Sequence, residues 1–569
     1  MDADVIIVGA GLSGLVAARE CSRAGLKTVI IDQEGPQDLG GQAWWSFGGL
    51  FIVDSPEQRR LGVRDSFDLA WQDWRGSAQW DRLGDGGADA WAERWGRAYV
   101  EFAAGEKRAW IREAGIELTP VVGWAERGDL TAGGHGNSVP RFHVPWGTGT
   151  GVVEPFIADA RRAVDAGRTR ILHRHRCDGF IVEAGAVVGV RGAVLAADGN
   201  RRGAPSTREE AGEFELRAAA VIVASGGIGG DHDLVRRFWP ERLGTPPERM
   251  VTGVPAYVDG RAIDLAGAAG ARLVNRDRMW HYTEGVRNWD PVWPGHAIRI
   301  LPGPSPLWID ALGRRLPPPG LPGHDTLGTL ELLRTDPAIA QYDHSWFIVT
   351  ARMAAKEFAL SGSEQNPDIT GRDRKLLLKT RLGRGAPGPV QAFIDRGDDF
   401  VSADDLPELV SRMNALTGTE LLRVADIDRV VRARDAEVRN PFSKDAQVMS
   451  IRNSRRYLGD RLTRTTAPHR LLDRAAGPLI AVRLHTLTRK SLGGIQTDLG
   501  SRALGADGAP VPGLYAAGEA AGFGGGGVHG YNALEGTFLG GCLFSGRAAG
   551  RAVAADISGS SASPLRWTI

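Results

Sequence analysis

Three glycines near the start of the chain have the spacing that binds the phosphates of a dinucleotide. Gly9, Gly11 and Gly14 form the pattern G-x-G-x-x-G directly after the apolar run Val5 to Val8. In this pattern the first glycine permits a tight turn and the second lets a pyrophosphate approach the backbone. The third lets a helix pack closely on the preceding strand. The spacing therefore predicts a strand, a phosphate-binding turn and a helix.

The residues around this turn complete a dinucleotide site. Leu12 and Ser13 begin the predicted helix, whose free N–H groups and positive dipole end attract phosphate. Asp32 ends the next apolar run, at the distance where a carboxylate accepts hydrogen bonds from ribose hydroxyls. Because a strand precedes the turn, a helix follows it and an acid stands at the expected distance, we predict that these residues bind the adenosine part of a dinucleotide.

Later glycine-rich segments decide between FAD and NAD, which share the first pattern. Residues 40–51, "GGQAWWSFGGLF", have two glycine pairs that bracket six residues, and such a segment can line the ribityl and isoalloxazine parts of a flavin. Residues 218–230 predict a further buried strand and turn beside the nucleotide, and in "VPGLYAAGEAAG" an apolar strand ends where Glu519 can bind a ribityl hydroxyl. The predicted contacts are Gly40, Gly41, Gln42, Ser46, Phe47, Gly48, Gly49, Ala224, Ser225, Gly226, Gly518 and Glu519.

These segments, in this order, resemble the flavoprotein family that contains fumarate reductase and succinate dehydrogenase flavoprotein subunits and the 3-ketosteroid Δ1-dehydrogenases. The similarity covers roughly residues 1–55, 150–275 and 475–555, with a divergent middle. The resemblance implies an α/β fold, with a Rossmann-like FAD-binding domain of the glutathione-reductase type. It also implies an inserted α+β domain that caps the substrate, with catalysis at the interface of the two.

The resemblance also implies how FAD is held. Succinate dehydrogenase-type members often bind flavin covalently through a histidine between the two glycine pairs, but Gln42 to Phe47 contain none, so noncovalent FAD is implied. The small sheet that carries the adenine in this family matches residues 170–194, which makes Cys177 an expected adenine contact.

The glycine-rich ending, "GVHGYNALEG", departs from the fumarate reductases. Ala533 stands where the family has an arginine that binds a substrate carboxylate, Glu535 replaces a glycine, and Lys490 replaces a substrate-binding histidine. An alanine side chain can neither form a bidentate hydrogen bond with a carboxylate nor donate a proton. The sequence therefore disfavours fumarate or succinate as substrate, unless Arg287 or Arg299 of the cap substitutes.

The ketosteroid dehydrogenases end with a tyrosine followed by glycines at fixed offsets. Aligning Gly536 with one of those glycines puts Asn532 in the position of the tyrosine, with Tyr531 beside it. Dehydrogenation next to a carbonyl removes an α-proton and delivers the β-hydride to flavin N5. It needs hydrogen-bond donors on the developing enolate and a base near the α-proton. We expect Tyr531 or Asn532, with the Gly536 N–H, to be the donors; Leu534, Thr537 and Phe538 are expected to position the pyrimidine end of the flavin.

The best candidate stretch for the base is "MWHYTEGVRNWDPVWPGH", residues 279–296, which mixes polar groups with three tryptophans. Apolar walls with a few polar groups are typical of a binding pocket, although a tryptophan-rich interdomain loop has the same composition. Ketosteroid dehydrogenases use a cap tyrosine as base, and Tyr282 is the nearest candidate by region. His485 and His529 are alternatives, and the stretch itself also contains His281 and His296.

Three hypotheses follow. The leading one is an FAD-dependent oxidoreductase that acts on a C–C bond beside a carbonyl, in either direction, with an apolar, steroid-like ketone as substrate. The second is a fumarate reductase-like enzyme for a small carboxylate, and the third is a non-catalytic flavin-binding interaction protein. The loop Gly133 to Gly136 lacks a flanking strand and helix, so a second dinucleotide site is not predicted and electrons are expected to pass to or from an external partner.

The elements that must position these residues divide the chain into three parts. We predict the first part of the FAD-binding domain at 1–275, the cap at 276–449, and the second part of the FAD-binding domain with a tail at 450–569. The last nine residues, "SASPLRWTI", carry no clear periodicity and are predicted to be disordered.

Composition excludes other classes of protein. The 569 residues carry 69 basic and 68 acidic side chains, so no basic excess favours a nucleic-acid partner. Cys21, Cys177 and Cys542 have no paired or metal-binding spacing, which predicts no metal site and favours a reducing, cytoplasmic location. A predicted strand near the first residue leaves no room for a signal peptide, and no apolar run is long enough to cross a bilayer. The oligomeric state is left open.

Overall fold

The computed structural model describes residues 1–383 and 385–559. The tail that the sequence predicts to be disordered lies outside the described residues. No helix within the described ranges has both the length and the apolar character needed to cross a membrane.

The strands, numbered in chain order, are β1 (Val5–Val8), β2 (Thr28–Asp32), β3 (Leu50–Phe51), β4 (Leu118–Gly123), β5 (Phe142–Pro145), β6 (Thr169–His173), β7 (His175–Glu183), β8 (Ala186–Leu195), β9 (Glu210–Arg217), β10 (Ala220–Val223), β11 (Val251–Thr252), β12 (Leu273–Val274), β13 (Met279–Arg287), β14 (Ala297–Leu301), β15 (Leu307–Asp310), β16 (Ser345–Thr350), β17 (Ala359–Leu360), β18 (Phe400–Ala403), β19 (Leu479–Ser491), β20 (Gly494–Ile495), β21 (Arg502–Leu504) and β22 (Pro510–Ala516).

The α-helices, numbered in the same way, are α1 (Leu12–Arg23), α2 (Pro56–Arg60), α3 (Phe67–Ala78), α4 (Ala90–Ala104), α5 (Lys107–Glu113), α6 (Thr148–Asp165), α7 (His232–Arg237), α8 (Arg261–Ala268), α9 (Thr326–Thr335), α10 (Pro337–Ala340), α11 (Ala351–Glu357), α12 (Pro367–Thr370), α13 (Arg374–Leu382), α14 (Gly388–Arg396), α15 (Leu406–Thr417), α16 (Val424–Arg439), α17 (Ala446–Ser454), α18 (Leu458–Thr463) and α19 (Thr537–Ser558).

The first large sheet is the core of the FAD-binding domain. Its order is β21-β22-β10-β1-β2-β6, and all neighbours are parallel except β21 and β22. The strands β1 and β10 are apolar at every position because both of their faces are buried. Helices α1 and α19 cover one face, and the sheet β7-β8-β9 with α8 covers the other. This arrangement confirms the predicted Rossmann-like α/β fold.

The two ends of the chain meet on this sheet, where α1 crosses α19. A Cβ atom added at Gly546 would lie 2.5 Å from the carbonyl oxygen of Ser13, and one added at Gly550 would lie 2.6 Å from that of Ala17. Only glycine lets the two helices approach so closely. The N-terminal turn and the glycine-rich ending are thereby fixed to one another.

The second large sheet belongs to the cap. Its order is β15-β16-β19-β13-β14-β17, and β11 and β18 also pair with β19. Strand β19 is its central strand, although it follows the boundary at 449 that the sequence predicts for the cap. The division at 275 and 449 stays a prediction, and on the evidence of this pairing the cap sheet reaches Ser491.

Candidate active site

A cavity of about 510 Å³ extends from the carboxyl ends of β1 and β2 to strands β13 and β14 of the cap. The position agrees with the rule that parallel α/β sheets bind ligands beyond the carboxyl ends of their strands. Twenty of the residues that the sequence predicts to bind the cofactor or to act in catalysis line it: Gly9, Gly11, Leu12, Ser13, Asp32, Gly40, Gly41, Gln42, Ser46, Phe47, Gly48, Gly49, Cys177, Ala224, Ser225, Gly226, Tyr282, Glu519, Gly536 and Phe538. Their contact with a bound molecule stays a prediction.

The dinucleotide end of the cavity is built by the turn between β1 and α1. Gly9 has φ of +108°, and a Cβ there would lie 2.5 Å from the carbonyl oxygen of Ala224. Gly14 does not line the cavity; a Cβ there would lie 2.1 Å from the carbonyl oxygen of Gly9, so this glycine lets α1 pack on the turn. These two positions carry the steric roles that the glycine spacing predicts.

Asp32 is held at the end of β2 with its carboxylate in the cavity. Oδ2 accepts a hydrogen bond from the Ala10 N–H at 2.7 Å, and Oδ1 accepts one from the Glu34 N–H at 2.9 Å. Burial raises the pKa of this carboxyl to about 6. Ribose hydroxyls would give the buried carboxylate the donors that the protein does not supply.

Two buried hydroxyl groups face the same end of the cavity. Ser225 Oγ and Tyr257 Oη have no hydrogen-bond partner among the residues that the structure describes, and both residues line the cavity. A buried hydroxyl without a partner is costly, so such groups commonly face a ligand. The glycine turn, the helix N-terminus and these donors together fit the phosphates and ribose of FAD.

The flavin end of the cavity is built from both ends of the chain. Glu519 accepts a hydrogen bond from Gln42 at 2.5 Å and one from the Ser491 N–H at 2.8 Å, which joins the segment 40–49 to β19 and to the turn after β22. The N-terminus of the 22-residue helix α19 faces the cavity through Gly536 and Phe538. The positive end of that helix dipole suits the electron-rich pyrimidine edge of a flavin.

Gly536 is the residue that opens α19. It has φ of +90°, and its carbonyl oxygen accepts a hydrogen bond from the Phe51 N–H at 2.9 Å. Gly536 itself lines the cavity. We expect its N–H, at the positive end of α19, to donate to an oxygen atom of a ligand.

Three other predicted cofactor residues lie just behind the cavity wall. The Gly518 N–H donates to Ser545 Oγ at 2.9 Å, and Thr537 Oγ1 lies 2.9 Å from Nε2 of His529. Leu534 is buried in the core with α19. These residues shape the wall but do not border the space.

Tyr531 and Asn532 are not brought together with Tyr282. The Tyr531 hydroxyl donates to Asp81 at 2.9 Å, and its ring packs 3.9 Å from the guanidinium of Arg278. Asn532 is buried behind the wall, where its amide lies 3.5 Å from Asp325. Their expected contact with substrate is not supported, because Gly530 turns the chain toward α3: the Tyr531 N–H donates to the carbonyl oxygen of Ala78.

Tyr282 and Lys490 form a polar pair inside the cavity. The Lys490 ammonium donates to Tyr282 Oη at 2.9 Å and lies 3.9 Å from the ring centre of Phe538. Burial lowers the pKa of Lys490 to about 7 and raises the pKa of Tyr282 well above its ordinary value, to which Glu535 also contributes. Lys490 is not among the residues that the sequence predicts to be catalytic. The feature that could have identified it is that it replaces the substrate-binding histidine of the fumarate reductases.

Arg299 lies beside this pair and is surrounded by carboxylates. Its guanidinium stacks 4.0 Å over the Tyr282 ring and forms ion pairs of 2.8 to 3.3 Å. Its partners are Glu126, Glu284 and Glu535. Glu126 comes from a loop far away in sequence, so only the tertiary structure identifies it as part of the site. Arg287 pairs with Asp399 and does not line the cavity.

The histidine candidates lie outside the cavity lining. Burial lowers the pKa of His281, His296 and His529 to about 3, which keeps these imidazoles neutral. His485 lies 3.0 Å from Asp399, with which it forms a hydrogen bond. The geometry favours Tyr282 over these histidines as the base.

Beyond Tyr282 the cavity continues under the cap into a part that we call the apolar chamber. Its walls come from β4, β14, α12 and α13 and include Val122, Leu301, Ile369 and Leu377. Arg489 also borders the cavity, without an ion-pair partner in the described ranges. The chamber suits a ligand larger and less charged than a dicarboxylate.

Comparisons with known proteins identify the family of the chain. A family model described as FAD binding domain matches residues 4–539. KsdD-like steroid dehydrogenases from Mycobacterium tuberculosis and Mycolicibacterium smegmatis are 60% and 61% identical over 557 residues, which are 98% of this chain and 96% and 100% of those proteins. The solved structure of a 3-ketosteroid Δ1-dehydrogenase from Sterolibacterium denitrificans, in complex with 1,4-androstadiene-3,17-dione, has a TM-score of 0.66 over 97% of this chain and 99% of that chain. It is 17% identical, so this likeness shows the fold alone.

Proposed function

The chain belongs to the FAD binding domain family, and from this premise we propose that it is an FAD-dependent dehydrogenase acting on the C–C bond beside the carbonyl of a steroid-like ketone. The predicted family, fold class and cofactor are confirmed by the matches. The observation that carries the proposal is the Tyr282–Lys490 pair, which lies between the flavin end of the cavity and the apolar chamber.

Bound FAD supplies the acceptor for the β-hydride of the substrate. The chain holds the cofactor without a covalent bond, through the glycine turn, Asp32 and Glu519. The Gln42–Glu519 hydrogen bond fixes the segment 40–49 against the turn after β22.

In the proposed reaction Tyr282 takes the α-proton of the ketone. When Lys490 is neutral, the Tyr282 hydroxyl donates to its amine, so Lys490 accepts the phenolic proton as Tyr282 accepts the substrate proton. The Gly536 N–H, at the positive end of α19, donates a hydrogen bond to the carbonyl oxygen as enolate charge develops. The reverse reduction follows the same steps backwards.

The charges of the site favour a ketone over a small dicarboxylate. Arg299, one of the arginines that line the cavity, is already paired with three carboxylates. Ala533 is buried away from the cavity and offers no donor. A dicarboxylate would have to bind next to Glu535 and displace an existing ion pair, which costs free energy. A fumarate reductase-like activity would depend on Arg489.

The proposal is tested by anaerobic reduction of the bound flavin with a panel of 3-ketosteroids. We expect at least one of them to bleach the flavin absorbance; absence of bleaching with any cyclic ketone would contradict the proposal. Fumarate that reoxidises dithionite-reduced protein would support the reductase alternative instead. Flavin that responds to neither would support a non-catalytic flavin-binding protein.

We further propose an external electron acceptor and a cytoplasmic location. The sequence supports the external acceptor, because its one dinucleotide pattern with flanking strand and helix is assigned to FAD and no second dinucleotide site is predicted. Support for the second is the set of three cysteines, Cys21, Cys177 and Cys542, which the structure leaves unpaired.

A further inference from the structure

The outer end of the apolar chamber is bordered by apolar side chains that point into solvent. Leu378 of α13 is 61% exposed and Val121 of β4 is 38% exposed, and both line the cavity. Helix α18 also contributes to the lining, and its Leu458 and Leu462 are 38% and 62% exposed. We call these four residues the cavity rim. Exposed apolar groups collected around an opening mark an interaction surface.

The cavity rim is set among positive charges. Segment 371–385, "GRDRKLLLKTRLGRG", contains six Lys and Arg residues and one acid, Asp373, in a chain whose net charge is +1. Asp373 accepts the capping hydrogen bonds of α13. Among the described residues, no ion pair involves Lys375, Lys379 or the Arg461 of α18, and all three side chains are exposed. These cations are therefore free to meet an anionic surface.

Nearby acids cancel the charge of Arg372 but leave Lys375, Lys379 and Arg461 unpaired within the described part of the chain. Asp460, which lines the cavity beside Leu462, forms an ion pair with Arg127. Glu154 pairs with Arg372. The surface around the opening thus combines exposed leucines with unpaired basic residues, which is the composition of helices that lie at the interface of an anionic bilayer.

We propose that the cavity rim docks on an anionic membrane surface, from which an apolar ketone enters the chamber. The inference rests on the proposed function for its apolar substrate, since such a solute concentrates in lipid. Leu378, Leu458 and Leu462 insert between the headgroups, while Lys375, Lys379 and Arg461 contact lipid phosphates. The opening of the cavity then faces the lipid.

The experiment is flotation of the full-length, FAD-loaded protein with vesicles of phosphatidylcholine alone and of an equimolar mixture with phosphatidylglycerol. We expect binding to the mixed vesicles that weakens with salt. The variant K375A/K379A should bind them about thirtyfold more weakly, at about 1 kcal/mol per basic residue near an anionic surface and tenfold per 1.4 kcal/mol. L462D should also lose binding.

Matched controls are available elsewhere on the surface. K27A/K444A removes two exposed lysines, and L83D changes a leucine that is 44% exposed and does not line the cavity; both should bind as the unchanged protein does. Unchanged protein that stays in solution with the mixed vesicles overturns the proposal and leaves an acidic protein as the partner for this surface. Equal loss of binding in the control variants also overturns it.

The kinetics separate this inference from the proposed function. With 3-ketosteroid dissolved by a cyclodextrin, K375A/K379A and L462D should reduce the flavin as fast as the unchanged protein. With the same steroid carried in mixed vesicles, the two variants should be slower. Equal rates in vesicles overturn membrane delivery, whereas absence of flavin reduction under both conditions contradicts the proposed function.

Discussion

At the scale of single residues, Lys490 is expected to control the pH dependence of the reaction. Because burial lowers its pKa to about 7, its amine is protonated below that pH and can accept no proton from Tyr282. The rate of anaerobic flavin reduction by a 3-ketosteroid should therefore rise as pH increases through about 7. K490M should reduce the rate by about 100-fold or more and remove this inflection, as expected when a proton acceptor is lost.

One further variant completes this test. Y282F should be slow at every pH, because it removes the group that touches substrate, and its flavin spectrum should be unchanged. An inflection near pH 7 that persists in K490M would assign it to another group, such as Glu364, whose pKa burial raises to about 7.

The same scale shows what the sequence can predict. Gly9, Gly11 and Asp32, which the sequence predicts to bind the cofactor, all line the cavity, because the roles of such residues depend on local spacing around one turn. Tyr531 and Asn532 follow equally regular glycines, but the direction of their side chains depends on Gly530, where the chain turns against Ala78. The spacing of residues along the chain cannot reveal the contact between Gly530 and Ala78. Only the structure therefore shows that the Tyr531 ring packs on Arg278.

At the scale of elements, the start of α19 is expected to couple the flavin site to stability. Gly536 has φ of +90°, and a Cβ there would lie 2.8 Å from the Phe51 nitrogen. G536A should lower the free energy of unfolding by about 1–3 kcal/mol through backbone strain and should lower the flavin content of purified protein. Thermal unfolding and the ratio of flavin to protein absorbance measure the two effects.

The other end of the same helix provides the control. Gly559 also has positive φ, +63°, but no atom lies within 4 Å of its added Cβ. G559A should cost about 1 kcal/mol or less and leave the flavin content unchanged. If G536A retained flavin as well as G559A does, α19 would not form the flavin site.

Elements also show why the cap boundary was hard to predict. Strand β19 lies 30 residues beyond the predicted boundary at 449, yet it pairs with β13, β16 and β18 in the centre of the cap sheet. Its apolar run predicts a buried strand, but pairing between strands so far apart in the chain leaves no local pattern. The parallel strands β1, β2 and β10 were predictable because a glycine turn follows the first of them and apolar runs mark all three.

At the scale of the whole molecule, FAD is expected to hold the two ends of the chain together. The cavity lining combines residues 8–49 with residues 519–542, and α1 packs on α19 behind it. A ligand that binds only this folded arrangement stabilises it by about 2.7 kcal/mol at a concentration of 100 times Kd. Adding FAD to flavin-depleted protein should therefore raise the Tm. ADP should raise it less, because it reaches the glycine turn and Asp32 but not Glu519, Gly536 or Phe538. Equal shifts with FAD and ADP would mean that the glycine-rich ending contributes nothing to cofactor binding, and the proposed position of the flavin against α19 would be wrong.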